Sequence, residues 1–324
     1  MEDDLLRSIW QRIEQCWSNT GAYSEYVKLA CQSLNSNQQP ANAANRDISR
    51  WALLPGLCCQ ASGGDPHWAD GIAASWIMFY LAADLMDSVE DQDEPDAWWS
   101  ASGPSVAINV ATGQFFNASR SLFRLYTEDI GDIACEVIED FHTSFIRMCG
   151  GQHQDLTKPE PSLEEYWKIA ETKSGTFFSL ACRSGARLTK ADLNKLENYS
   201  SFGNHFGILI QIMDDLDDLH SLSAAVRSKK KTSLFRSLPI VYAIDVNPAP
   251  IKTQIKTHLL NIHHDSQASL QAFKLIENSG TVLYIMTEIE RHKQKALDCL
   301  GRVSPLSPAA ETLTELINRL GSSE

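Results

Sequence analysis

The sequence predicts a nearly all-helical protein, and three observations carry that expectation. Long stretches repeat apolar residues at helical spacing. No alternating strand pattern is sustained. Glycine and proline are sparse, at 17 and 12 of 324 residues. With 43% hydrophobic residues the chain can bury a sizeable core.

Residues 1–35 read as one or two amphipathic helices, with Leu5, Leu6, Ile9, Ile13 and Trp17 in register and Gly21 as a break. A polar loop over 35–45 follows, then a helix over about 48–61 that Ser62, Gly63 and Gly64 end. Asp65-Pro66 opens a strongly apolar helix running to Asp91, and Pro95 closes the segment. Further helices are expected over about 105–125 and 130–150. Gly150-Gly151 begins a break with polar residues, and TKPEPS forms a loop. Ser162 to Glu165 has the form of a capping box that opens the next helix, which contains Lys173. An apolar run over 206–213 leads into Asp214-Asp215-Leu216-Asp217-Asp218. From about 251 to 320 the chain reads as amphipathic helices, with His263, His264 and His292 expected at the surface.

Two acidic clusters organise the chemistry. In a helix, Asp214 and Asp218 share a face with Gln211 one turn earlier, and Asp215 lies beside them. The upstream cluster places Asp84, Asp87 and Asp91 at i, i+3 and i+7, with Glu90 close by. An isolated acidic helix end is ordinarily a solvated terminus. Two apolar helices about 125 residues apart, both ending in carboxylates, call for another account. Facing one another, they would form two walls holding divalent cations, with a diphosphate bridging the ions. An apolar cavity between the helices would take a hydrocarbon tail. Beside such a site Lys173, by itself a surface lysine, would clamp phosphate, and the basic run with Lys229, Lys230 and Lys231, by itself a solvated loop, would act as a lid. Behind Asp87 on one helix face lie Ala83, then Phe79 and Tyr80, then Trp76. Trp76 is about 16 Å down the helix at 1.5 Å per residue, deep enough for a C15–C20 tail if the aromatics turn aside. The alternative is that these rings only pack the core.

Charge and cysteine usage narrow the class. A net charge of −13 argues against nucleic acid as a partner. The eight cysteines form no CxxC pair, so reduced, buried thiols in a cytoplasmic protein are expected. The opening MEDDLLRSIW lacks the basic and apolar regions of a signal peptide, and no transmembrane segment is expected.

These residues resemble the trans-isoprenyl diphosphate synthase, or polyprenyl synthetase, family over roughly 46–320. LMDSVED at 85–91 is similar to the first aspartate-rich motif, DDxxD, with Asp87 and Asp91 at its outer positions and Ser88 at the second. AINVATGQFFNAS at 107–119 resembles the pattern around AxxxGD, and 151–156 matches GQxxDL. Lys173-Ser174-Gly175 matches KT(A/G), QIMDDLDD carries the second aspartate-rich motif, and Leu238-Pro239-Ile240 matches the segment after a flexible basic loop. Six pieces in order make the resemblance specific. It implies the all-α isoprenoid synthase type I fold as one domain around a central apolar cavity, a homodimer, and as many as three Mg2+ ions. The metal ligands it implies are Asp87, Asp91, Asp214, Asp215 and Asp218, to which the helix face adds Asp84 and Glu90 as candidates. Asp87, Asp91, Asp214, Asp215 and Lys173 would be catalytic, and Gln152, Asp155 and Gln211 would lie near the diphosphate of an allylic prenyl substrate.

The departures fall where the family binds a second, anionic substrate. GKRxRP is replaced by RDISRW, which keeps Arg50 but has Asp47 and Ile48 for the lysine and arginine. The RRG element is replaced by Gln92-Asp93-Glu94-Pro95. A second diphosphate would lose several charge-assisted hydrogen bonds. The expectation is therefore terpene-synthase-like chemistry, in which the prenyl cation cyclises, loses a proton or captures water. The alternatives are a prenyltransferase, by chain elongation or peptide prenylation, and a non-catalytic partner subunit.

Overall fold

The computed structural model describes residues 2–18, 20–36, 50–91, 99, 102–127, 131–223, 233–262, 265 and 267–321. Every element among them is helical. The order is α1 (Glu2–Ser18), α2 (Ser24–Ser36), α3 (Leu54–Ala61), α4 (Asp70–Asp91), α5 (Pro104–Phe123), α6 (Gly131–Thr157), α7 (Leu163–Ala170), α8 (Thr176–Arg187), α9 (Leu193–Ser223), α10 (Leu238–Val246), α11 (Ala249–Asn261), α12 (Ala268–Asn278), α13 (Thr281–Arg302) and α14 (Ala309–Arg319). The expected loop at 35–45 (beyond its first two residues), Pro95, Lys229 to Lys231 and His263-His264 lie outside the described residues.

Two long helices carry the core. In α4 every residue from 70 to 79 is buried, so this segment is an interior helix rather than an amphipathic one. By length and composition Pro66–Asp91 would suffice to cross a membrane, but here its apolar residues pack against protein. The second long helix, α9, packs against α8 on one side and α13 on the other. A smaller core, with Leu219, Leu234, Ile240, Ile255 and Ile276, joins the end of α9 to α10, α11 and α12.

Local signals explain most boundaries. Gly21 takes φ +67° between α1 and α2, a region that favours glycine. The Asp65 carboxylate accepts from the His67 N–H at 2.9 Å, so Asp65 caps a short 3-10 turn, Pro66–Ala69, ahead of α4. The capping box at Ser162 is complete. Its hydroxyl accepts from the Glu165 N–H, and the Glu165 carboxylate accepts from the Ser162 N–H at 2.9 Å.

Four expectations need correction. The segment 48–61 is not one helix, since turns at Ala52 and Leu53 precede α3. Gly150-Gly151 is no break, because α6 continues to Thr157. A Cβ on Gly151 would lie 3.0 Å from Thr172 Cγ2 and 3.1 Å from Lys173 Cγ, so this glycine serves close packing inside a helix. His292 is buried, stacked on Trp167 with centroids 5.7 Å apart. Cys16, Cys58, Cys59, Cys182 and Cys299 are buried free thiols as expected, whereas Cys135 and Cys149 are exposed.

Candidate active site

The last two turns of α4 leave the core and expose their acidic face. Asp84 and Glu90 are exposed, and Asp87 and Asp91 are half-buried. This first wall is met by groups from three other elements. From α6, the Gln152 amide donates to Asp87 at 2.7 Å and to Glu90 at 2.8 Å. The Lys173 ammonium donates to Asp155 at 2.8 Å and stands 3.5 Å from Asp87. The Arg236 guanidinium donates to Asp91 at 2.5 Å and to the Asp155 carbonyl at 3.2 Å. Arg236 was not foreseen from sequence. It lies two residues before the Leu238-Pro239-Ile240 segment, in a turn, Ser233–Arg236, without periodicity to flag it.

Lys173 owes its position to a single π-helical turn, Glu171–Gly175, between α7 and α8. Such turns widen a helix by one residue and recur at functional sites. Here the turn lets consecutive side chains reach both walls: Lys173 goes to the first, and the Ser174 hydroxyl donates to Gln211 at 2.9 Å. Burial works against the Lys173 charge, but Asp87 and Asp155 outweigh it and raise its pKa above the ordinary value. Arg236 shows the same balance, with burial opposed and exceeded by Asp155 and Asp91. Both remain cations.

The second wall is the end of α9. Asp214 is exposed, while Asp215 is only 5% exposed. The Asp215 carboxylate accepts from the Tyr166 hydroxyl at 2.7 Å, the Leu238 N–H at 2.7 Å and the Gln211 amide at 3.1 Å. Burial, with Asp215 beside it, holds the Tyr166 pKa well above its usual value, so the hydroxyl keeps its proton. Tyr166 was likewise missed. It sits among the apolar positions of α7 and reads as a core residue. The Asp218 side chain lies outside the described residues.

The two walls border one cleft of about 380 Å3. Seven aspartates line it (Asp84, Asp87, Asp91, Asp155, Asp214, Asp215 and Asp217) against two cations, Lys173 and Arg236. Such a set of hard oxygen donors, five charges short of neutrality among the described residues, fits divalent cations such as Mg2+. Among the described residues, no three acidic, histidine or cysteine side chains already converge on one point to hold an ion.

Other predicted residues lie elsewhere. Arg50 is not at this cleft. It lines a separate one with Glu311, Glu315 and Arg319 of α14. Trp76, Phe79, Tyr80 and Ala83 do not line the acidic cleft either. Trp76 is fully buried, stacks on Phe177 at 4.2 Å and donates its indole N–H to the Phe177 carbonyl. Phe79 stacks on Phe145 at 4.0 Å. The interior below the first wall is thus packed with rings.

The all-helical fold is shared with solved structures of polyprenyl and geranylgeranyl synthases. A polyprenyl synthetase from Streptomyces coelicolor A3(2) superposes with a TM-score of 0.80 at 19% identity, over 98% of each chain. The sequence model of the family described as Polyprenyl synthetase matches residues 55–276, and the chain belongs to that family. A curated relative, the (2E,6E)-farnesyl diphosphate synthase of Mycobacterium tuberculosis (strain ATCC 25618 / H37Rv), is 25% identical over 80% of this chain and 76% of its own. Another, the tryptophan prenyltransferase ComQ of Bacillus subtilis (strain 168), is 24% identical over 77% and 80%.

Proposed function

We propose that the protein is a Mg2+-dependent prenyltransferase that takes an allylic prenyl diphosphate and passes its prenyl group to an acceptor. The observation that carries this reading is the cleft itself, where among the described residues seven aspartates face one another around two cations. Two or three divalent ions would offset that excess charge. Because the described residues hold no ready-made set of ligands for one ion, each would draw on aspartates and on diphosphate oxygens together. When bound, Mg2+ would neutralise charge building on the departing diphosphate.

The protein groups supply the rest. Lys173 and Arg236 can donate to diphosphate oxygens without first acquiring a proton, because both are held as cations. Gln152, between Asp87 and Glu90, keeps neighbouring carboxylates apart and oriented. The ring-packed floor below Asp87 excludes water from the carbon end of the substrate. Of the relatives named above, one is a prenyltransferase by its name and the other a farnesyl diphosphate synthase, which supports transfer as the fate of the prenyl group.

One observation favours a second reading, in which the prenyl cation cyclises, loses a proton or is captured by water. Among the described residues only Lys173 and Arg236 are cations at the cleft, and Arg50 lines another surface. An acceptor that is itself a diphosphate finds few partners there.

The test is incubation of the purified protein with Mg2+ and geranyl, farnesyl or geranylgeranyl diphosphate, with and without isopentenyl diphosphate or a tryptophan-containing peptide. A prenylated acceptor supports the transferase. A hydrocarbon or alcohol formed without any acceptor supports the second reading. Release of no diphosphate under any pairing rejects both.

A further inference from the structure

Asp215 belongs to the acidic motif by sequence, yet its surroundings differ from those of Asp214. Asp214 is exposed at the cleft. The Asp215 carboxylate is buried, and both of its oxygens accept hydrogen bonds from protein donors. Two of those bonds, from the Tyr166 hydroxyl and the Leu238 N–H, meet on one oxygen, Oδ2, each at 2.7 Å. The third donor, Gln211, bonds Oδ1 and is itself fixed by the Ser174 hydroxyl. A carboxylate offers about four acceptor positions. Using Oδ2 for a metal would compete with the Tyr166 and Leu238 donors, both of them buried.

The Leu238 N–H leads to the other wall. Leu238 starts α10, and the short turn just before it, Ser233–Arg236, carries Arg236. Leu234 and Leu238 are buried, so both ends of this strap are anchored in the core. Between them, Arg236 points to Asp91 and Asp155. Arg236 therefore reaches the first wall from a backbone segment whose far end is tied to Asp215.

We propose that Asp215 is a positioning residue, which pins the strap 233–238 through the Leu238 N–H, with Tyr166 as its buttress, and so holds Arg236 over the first acidic wall. Asp214 faces the cations directly, whereas Asp215 acts through Arg236. The anion that Arg236 would meet is the diphosphate of the reading given above, and this inference rests on that reading only there.

Hydrogen exchange of the ligand-free protein and binding of inorganic pyrophosphate at saturating Mg2+ test it together. Asp215→Asn leaves at most one acceptor oxygen for the three donors, and Tyr166→Phe removes the buttress while keeping the ring. Both variants should raise exchange at the Leu238 amide about tenfold or more, and Asp214→Asn should not. Asp215→Asn should weaken pyrophosphate binding about tenfold while the number of Mg2+ bound per protein stays the same. In an Arg236→Met background it should weaken binding no further. Unchanged exchange at Leu238, loss of a bound Mg2+, or effects of Asp215→Asn and Arg236→Met that multiply would each overturn the proposal. If Asp215→Asn does not fold, Tyr166→Phe carries the same three readouts. Should the unaltered protein bind no Mg2+-pyrophosphate, the prenyl diphosphate reading fails, and the exchange data still decide whether Asp215 pins the strap.

Discussion

The two acidic walls are built in opposite ways. The first is partly offset by cations: Lys173 and Arg236 serve Asp87, Asp91 and Asp155. In the second, the buried carboxylate is held by neutral donors, a phenol, a backbone N–H and an amide. An ion pair at a cleft can be exchanged for another cation at modest cost, because charge is replaced by charge. Buried neutral donors cannot be exchanged without leaving one unsatisfied. The first wall is therefore the adaptable side of the site, and the second is its fixed reference.

The largest expected effect removes that distinction altogether. Asp87→Asn and Asp214→Asn should each lower kcat by about 100- to 1,000-fold, since each takes a charged ligand from facing sides of the same cleft. Chelation of Mg2+ should do the same to the unaltered enzyme. A large loss from one substitution and none from the other would show that only one wall handles the metal. Next comes Lys173→Gln, which removes a charge-assisted donor worth about 1.5–3 kcal/mol and should cost about 10- to 100-fold in kcat/KM. Asp155 then loses its nearest cation, so a drop in thermal stability should accompany it.

A smaller effect probes the fixed side. A Cβ on Gly207 of α9 would lie 2.2 Å from the Ser174 carbonyl oxygen, a backbone atom with no room to yield. Gly207→Ala should destabilise the fold by about 1–3 kcal/mol in denaturant titration and displace the π turn. A pH dependence is expected on the same side. His205 of α9 and His292 of α13 meet through their Nδ1 atoms at 3.2 Å. Burial, with Lys295 and Arg291 adding to it, pushes His205 down to about 4. Burial, then His205, pushes His292 down to about 3. The native protein refuses protons that the unfolded chain accepts below its ordinary histidine pKa. Stability is full above about pH 6.5 and falls as the pH drops toward 4, by about 1.4 kcal/mol per pH unit for each proton taken up. His292→Gln should flatten that slope in acid unfolding curves.

Sequence made the walls legible because carboxylates after an apolar run are costly, and two such runs in one chain reinforce each other. Lys173 was suggested by its place beside that pattern and by the family resemblance, and Gln152 and Asp155 by the resemblance alone. Arg236 and Tyr166 did not, because their roles depend on a turn and a helix that meet the walls only in three dimensions. Gly150-Gly151 misled for a related reason. Glycine in a helix costs about 1 kcal/mol against alanine, so the pair reads as a break. That cost is accepted where a side chain at 151 would strike Thr172. His292 was hidden by its charged neighbours Arg291 and Lys293, although Ile285, Ile289 and Ala296 mark its face of α13 as buried.

The glycine contact between α9 and the π turn has a mechanical consequence. Where backbone rests on backbone there are no rotamers to rearrange, so the turn that carries Lys173 moves with the second wall as one block. The Ser174–Gln211 bond clamps the same joint from the other side. Any change in the width of the cleft is then a displacement of α4 relative to that block. Lys173, reaching across from the block to Asp87, registers it as a changed distance, which makes a single ammonium group the gauge of how far the site has opened.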